Sequence, residues 1–147
     1  KSDPPWRCDE LKPLPVIRAV RLDEPSVDPD RLATARQWID AAAACGCLPA
    51  MALLDASVSS GVGTGAFGGT GNIIDWKSVA EVPMLSIPTT LAGGLTPDNV
   101  AAAIQTTRAS AVDTASGVES SPGQKNSILV RRFVAAAKQG FSEQADI

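Results

Sequence analysis

The sequence predicts an α/β fold in which parallel strands alternate with helices, and within that class a (β/α)8 barrel of which about four units are present. Three observations lead there. Short apolar runs recur along the chain, amphipathic helical stripes separate them, and the glycine-rich turns follow the later runs rather than the first. Strand, loop and helix repeat at mostly ~20–36 residues per unit, which suits parallel strands because parallel neighbours require a crossover helix. A doubly wound sheet would usually carry its phosphate loop after the first strand. A barrel commonly gathers such loops after its seventh and eighth strands and needs roughly 200–250 residues in all. The 147 residues therefore read as one domain, 1–147, forming the C-terminal portion of a barrel. Lys1 in place of Met, followed by the polar, proline-containing Ser2 to Lys12, reads as a start inside a longer chain.

The predicted strands are Val16 to Leu22, Ala50 to Leu54, Thr90 to Ala92 and Ala111 to Ala115, each an apolar run of the kind buried in parallel sheets. Leu32, Ala35, Trp38, Ile39 and Ala42 recur at helical spacing and predict a first helix, closed at Gly46. Asp75 to Ala80 supports only a short helix. Thr96 can cap the next one with its hydroxyl, Pro97 suits its first position and Asp98 its positive end, with Val100 and Ile104 on its apolar face. Leu129, Phe133, Val134 and Ala137 predict a last helix ending near Lys138 and Gly140.

Composition excludes several functions. With 13 Lys and Arg against 16 Asp and Glu, the net charge of −3 presents no broad positive field, so no nucleic-acid partner is expected. Trp6, Trp38 and Trp76 are too scattered for a base-stacking platform. Ala41 to Leu54 is shorter than the ~18–20 residues of a spanning helix and is broken by Gly46 and Pro49, so no membrane partner is expected. Cys8, Cys45 and Cys47 are odd in number and follow no leader, which favours a reduced, cytoplasmic setting over a disulfide framework. The absence of histidine removes the commonest general base, and Cys45-Gly46-Cys47 lacks the spacing and second ligand pair of a zinc site, so no metal is expected.

Two turns carry the candidate chemistry. Leu91-Ala92-Gly93-Gly94-Leu95 places two glycines between a buried strand and a helix, where bare backbone N–H groups can approach an anion; Ala115-Ser116-Gly117-Val118 repeats the arrangement one unit later. Either could serve only as a tight turn, but two in succession favour phosphate binding. Asp55 closes the second strand at the end where barrels assemble their chemistry, either as a catalytic carboxylate or as a loop-ordering one. Asp113 lies within the fourth predicted strand, where a charge among buried residues demands a partner: a structural hydrogen bond or a substrate hydroxyl.

Taken in order, Leu53-Leu54-Asp55, Gly68-Gly69-Thr70-Gly71 with Asp75-Trp76, Leu91 to Val100, and Val112-Asp113 through Ser116-Gly117-Val118-Glu119 to Pro122-Gly123 and Lys125 resemble the phosphoribosylanthranilate isomerases, members of the TIM-barrel family. The resemblance implies that the four strands are the fifth to eighth of the barrel. It also implies an Amadori rearrangement of a small phosphoribosyl substrate in tryptophan synthesis, with no cofactor. Asp55 then matches the family's acid, and Gly93, Gly94, Asp113, Ser116 and Gly117 its substrate-binding positions. Burial in the barrel mouth would favour the protonated form such an acid needs. The family's base, a cysteine in a Lys-Ile-Cys-Gly-like motif on the first strand, and its arginine near the anthranilate carboxylate match no segment here. The N-terminal half-barrel is thus an expected partner, and these residues alone are expected to be inactive. Departures from the family's pattern are Ile74, Ala115, Asn126 and the long Ser57 to Phe67 loop. The competing readings are another phosphate-binding barrel isomerase or synthase, and a non-catalytic phosphosugar-binding half-barrel.

Overall fold

The computed structural model describes residues 4–22, 32–55, 76, 80 and 85–145. Among them, β1 (Ile17–Arg21), β2 (Met51–Asp55), β3 (Thr89–Ala92) and β4 (Ala111–Val112) form one sheet in the order β1-β2-β3-β4, every pair parallel. β3 is buried along its whole length, whereas β1 and β2 alternate, contrary to the reading of all four as buried runs. The alternation has a direct cause. Ala52, Leu54 and Leu91 sit in the core with Val20 and Val112 packed on it, so one face of the sheet is covered by helices. The register then puts Ala19 and Arg21, Leu53 and Asp55, Thr90 and Ala92, and Ala111 on the opposite face. There the Thr90 hydroxyl meets the Met51 sulfur across the strands.

β4 pairs over two residues only, not the five from Ala111 to Ala115. Asp113 stands one step past it, its N–H donating to the Leu91 carbonyl at 2.8 Å, and its side chain is exposed. Asp113 is therefore exposed just past β4 and not enclosed within a buried strand, which corrects the sequence expectation.

Helix α1 (Ala33–Ala44) buries Ala35, Ile39 and Ala42, with Leu32 beside them. Trp38 packs at the edge of the core, and the Arg18 guanidinium lies 4.5 Å from its ring centroid, a cation–π contact that covers this edge. Gly46 donates to the Ala43 carbonyl and Cys47 to that of Ala42, at 2.9 and 3.0 Å, the paired bonds that close a helix at a left-handed residue. Trp76 and Ala80 have helical backbone, but the rest of the predicted Asp75 to Ala80 helix, the Gly68 to Gly71 motif, Ile74 and the Ser57 to Phe67 loop lie outside the described residues.

Helix α2 (Val100–Thr107) starts later than Pro97, and no side chain caps it. Thr96 to Asn99 form a turn in which the Thr96 carbonyl accepts from the Asn99 and Val100 N–H groups at 3.3 and 3.1 Å, and the expected cap by the Thr96 hydroxyl is not formed. Asp98 pairs instead with Arg132 across 2.8 Å. The helix buries Val100, Ala103, Ile104 and Thr107 and ends on Arg108, at φ 52°. A side chain in that conformation costs roughly 1–2 kcal/mol. Arg108→Gly is expected to raise stability by ~0.5–1 kcal/mol, read as a higher urea midpoint; a lower midpoint would contradict the assignment of strain.

Helix α3 (Ser127–Ala145) runs beyond the expected stop, because Gly140 is a contact and not an end. A Cβ there would lie 2.9 Å from the Ala101 Cα, so the glycine lets α2 and α3 meet backbone to backbone. Phe133, Ala137 and Gly140 face the core, while Val134, placed on the predicted stripe, is 46% exposed. Asn126 caps α3, its Oδ1 accepting from the Ile128 and Leu129 N–H groups at 2.9 and 3.2 Å. No helix among the described residues is long and apolar enough to cross a membrane.

Candidate active site

The polar residues collect at the C-terminal edge of the sheet. Asp55 ends β2, half-buried, with Arg21 as its register partner on β1 and Ala92 on β3. The Asp55 carbonyl accepts from the Leu22 N–H at 3.0 Å, which ties the two strand ends together. Asp113 follows β4 on the same face by alternation, since Val112 before it packs on the core. An acid is thus flanked by a cation on one side and, two strands away, by a second carboxylate.

Gly93 and Gly94 continue β3 at φ 95° and 65°, a backbone path open to glycine and strained for other residues. Asn99 fixes that path from below: its Nδ2 donates to the Gly94 carbonyl at 3.0 Å and its Oδ1 accepts from the Thr96 N–H at 2.8 Å. The space beside Gly94 is open. Ser116–Val118 form a single 3-10 turn after β4, with Ser116 exposed. Gly117 differs from Gly94. A Cβ on it would overlap the Leu95 carbonyl oxygen and come within 2.8 Å of both the Leu95 carbonyl carbon and the Thr114 hydroxyl oxygen. The Thr114 hydroxyl donates to the same Leu95 carbonyl at 2.7 Å. The sequence treats the two glycine turns as equivalent anion sites; in the structure, glycine at 117 is needed for the second loop to lock onto the first.

Beyond this turn, β5 (Glu119–Ser121) and β6 (Gln124–Lys125) pair as a short antiparallel hairpin. Lys125 donates to the Ala115 carbonyl at 2.8 Å and to Glu119 at 2.6 Å, so it braces the turn. Lys125, and secondarily the Gly123 N–H, hold the Glu119 carboxyl below the ordinary carboxylate value. A carboxyl depressed in this way stabilises the fold above its unfolded pKa, and that contribution is lost as pH falls through the folded value.

Asp55, Gly93, Gly94, Asp113, Ser116 and Gly117 therefore share one end of the sheet. Cys45 and Cys47 do not. They lie between α1 and the start of β2, at the opposite end, with Cys47 buried and its thiol 3.6 Å from the Pro5 carbonyl. Cys8 belongs to the 3-10 helix Pro5–Leu11, which precedes β1. Sequence reasoning assigns nothing to Arg21, Asn99 or Thr114. Arg21 had a signal, being a charge at the odd position of a strand whose even positions are core-facing; for Asn99 and Thr114 only the folded loops supply one.

Parallel strands in chain order, covered by helices on one face and bearing their polar residues at the C-terminal edge, define a protein of the α/β barrel class. The family model of N-(5'phosphoribosyl)anthranilate (PRA) isomerase matches residues 9–136. The chain is 40% identical over 137 residues to the N-(5'-phosphoribosyl)anthranilate isomerase of Myxococcus xanthus, covering 93% of this chain and 57% of that protein. It is 39% identical over 138 residues to the enzyme of the same name from Geobacter sulfurreducens, covering 93% and 58%. The crystal structure of phosphoribosyl anthranilate isomerase from Thermotoga maritima superposes with a TM-score of 0.64 at 26% identity, covering 93% of this chain and 58% of that one. The chain belongs to the phosphoribosylanthranilate isomerase family, and it spans less than three-fifths of the length of these relatives.

Proposed function

We propose that this chain supplies the last four β/α units of a phosphoribosylanthranilate isomerase barrel. The activity is the cytoplasmic rearrangement of N-(5'-phosphoribosyl)anthranilate to 1-(2-carboxyphenylamino)-1-deoxyribulose 5-phosphate in tryptophan synthesis. The observation that carries this reading is the half-buried carboxylate of Asp55 at a strand end, one strand from an open glycine loop in a chain of this family. Asp55 in its acid form protonates the ribose ring oxygen, the C1′–O bond breaks, and the nitrogen lone pair completes a Schiff base. A base then removes the C2′ proton, its electron pair forming the enolamine, which ketonises. Protons alone are exchanged with the protein, and substrate and product have the same composition, so the reaction calls for no cofactor. Gly93, Gly94, Ser116 and Gly117 hold the phosphate through backbone N–H groups, and Asp113 accepts from a sugar hydroxyl.

The base comes from units that precede β1. This reading rests on the resemblance, which puts the family's base on the first strand, and the chain's lack of histidine and the position of Cys45 and Cys47 at the other end of the sheet support it. Among the described residues β1 and β4 are the edges of the four-stranded sheet, which supports reading an N-terminal half-barrel as the partner that closes it. Purified alone, the chain is expected to self-associate and to show no isomerisation. Mixed with the separately produced N-terminal half of a relative, it should gain turnover by ~10²-fold or more, the usual worth of an acid–base partner. Family-like turnover by the chain alone would refute the missing base, and a folded but inactive mixture would refute the function.

A further inference from the structure

We infer that Arg21 is a second recognition residue for the aryl carboxylate of the substrate, additional to the arginine that the family carries in earlier units; this rests on the function proposed above. The order of groups along the C-terminal edge of the sheet points to this role. Arg18 stacks on Trp38 and Val20 packs on the core, so Arg21 falls on the opposite, mouth-facing side, where it is exposed. It stands in register with Asp55, one strand away. Strands lie ~4.8 Å apart, so Asp55 is about one spacing from Arg21, Gly93 and Gly94 about two, and Ser116 and Gly117 about three. From β1 to β4 the mouth therefore presents a cation, an acid, and then two glycine loops, with the Asp113 carboxylate beside the second.

The substrate has the same order. Its carboxylate and its phosphate stand at opposite ends, with the aromatic ring, the amine and the ribose oxygen between them. With the phosphate on the loops after β3 and β4 and the ring oxygen at Asp55, the carboxylate points to β1. A guanidinium there offers two parallel N–H groups to two carboxylate oxygens, geometry that a lysine cannot reproduce. It also gives the substrate one orientation, since the reverse pose would set the phosphate on Arg21 and leave the loops facing a carboxylate on a rigid ring.

The test uses the barrel completed with its N-terminal half and two substrates: N-(5'-phosphoribosyl)anthranilate, and N-(5'-phosphoribosyl)aniline, which lacks the carboxylate. Arg21→Gln is expected to raise KM for the first by roughly ten-fold or more, with kcat nearly unchanged, and to leave KM for the second at the wild-type value. Arg21→Lys should fall between the two on the carboxylated substrate. An unchanged KM for both substrates, or an equal rise for both, would overturn the inference. So would a fall in kcat with a displaced pH profile on both substrates, because Arg21 would then act through Asp55. Failure of the wild-type barrel to isomerise either substrate would instead overturn the proposed function, and the Arg21 assignment with it.

Discussion

Asp55→Asn is expected to lower turnover of the completed barrel by ~10²-fold or more, while KM stays within a small factor of wild type. Asparagine preserves the shape of the side chain at the end of β2 and can still donate an N–H to the ring oxygen. It cannot transfer a proton to it. Ground-state contacts therefore survive and the developing charge on the leaving oxygen goes unneutralised, which is the signature of an interaction made only in the transition state. Steady-state kinetics on the folded variant decide the matter. Turnover within a factor of two of wild type would remove Asp55 from the chemistry and leave it as a loop-ordering residue.

Gly117→Ala should damage binding rather than chemistry, and for a reason that differs from the one Gly94→Ala would test. At Gly94 there is room for a methyl group, so the cost is the left-handed backbone alone, roughly 1–2 kcal/mol. At Gly117 the obstacle is the Leu95 backbone carbonyl, which has no rotamer with which to move aside. The two loops must separate, breaking the bond from the Thr114 hydroxyl to Leu95, and overpacking of this sort costs ~1–3 kcal/mol. Gly117→Ala is expected to lower the melting temperature and to weaken binding of the phosphorylated product by about ten-fold or more. Wild-type melting and affinity together would mean that the loops are not interlocked as described.

The elements legible in the sequence were those fixed by apolar periodicity. Leu32, Ala35, Ile39 and Ala42 marked the buried face of α1, and the runs around Leu54 and Leu91 marked β2 and β3, because burial of these side chains is what selects the fold. The sequence was less informative where backbone contacts decide. Nothing local distinguishes Gly117, held by packing, from Gly94, held by its torsion angle, and nothing in Thr96-Pro97-Asp98-Asn99 announces that Asn99 rather than Thr96 orders the turn. Asp113 reads as buried only if β4 extends past Val112. Gly140 reads as a stop only if the partner helix α2 is left out of account.

The identity of sheet order and chain order bears on assembly. Among the described residues each strand of this sheet pairs with the next one along the chain, so pairing closes one connection at a time, and the entropy of closure grows only slowly with the length of each connection. Pairing can spread outward from any adjacent couple of strands without waiting for a distant partner. The same property makes the fold tolerant at its two flanks: a further unit added at β1 or β4 extends the ladder and leaves the registers already formed unaltered.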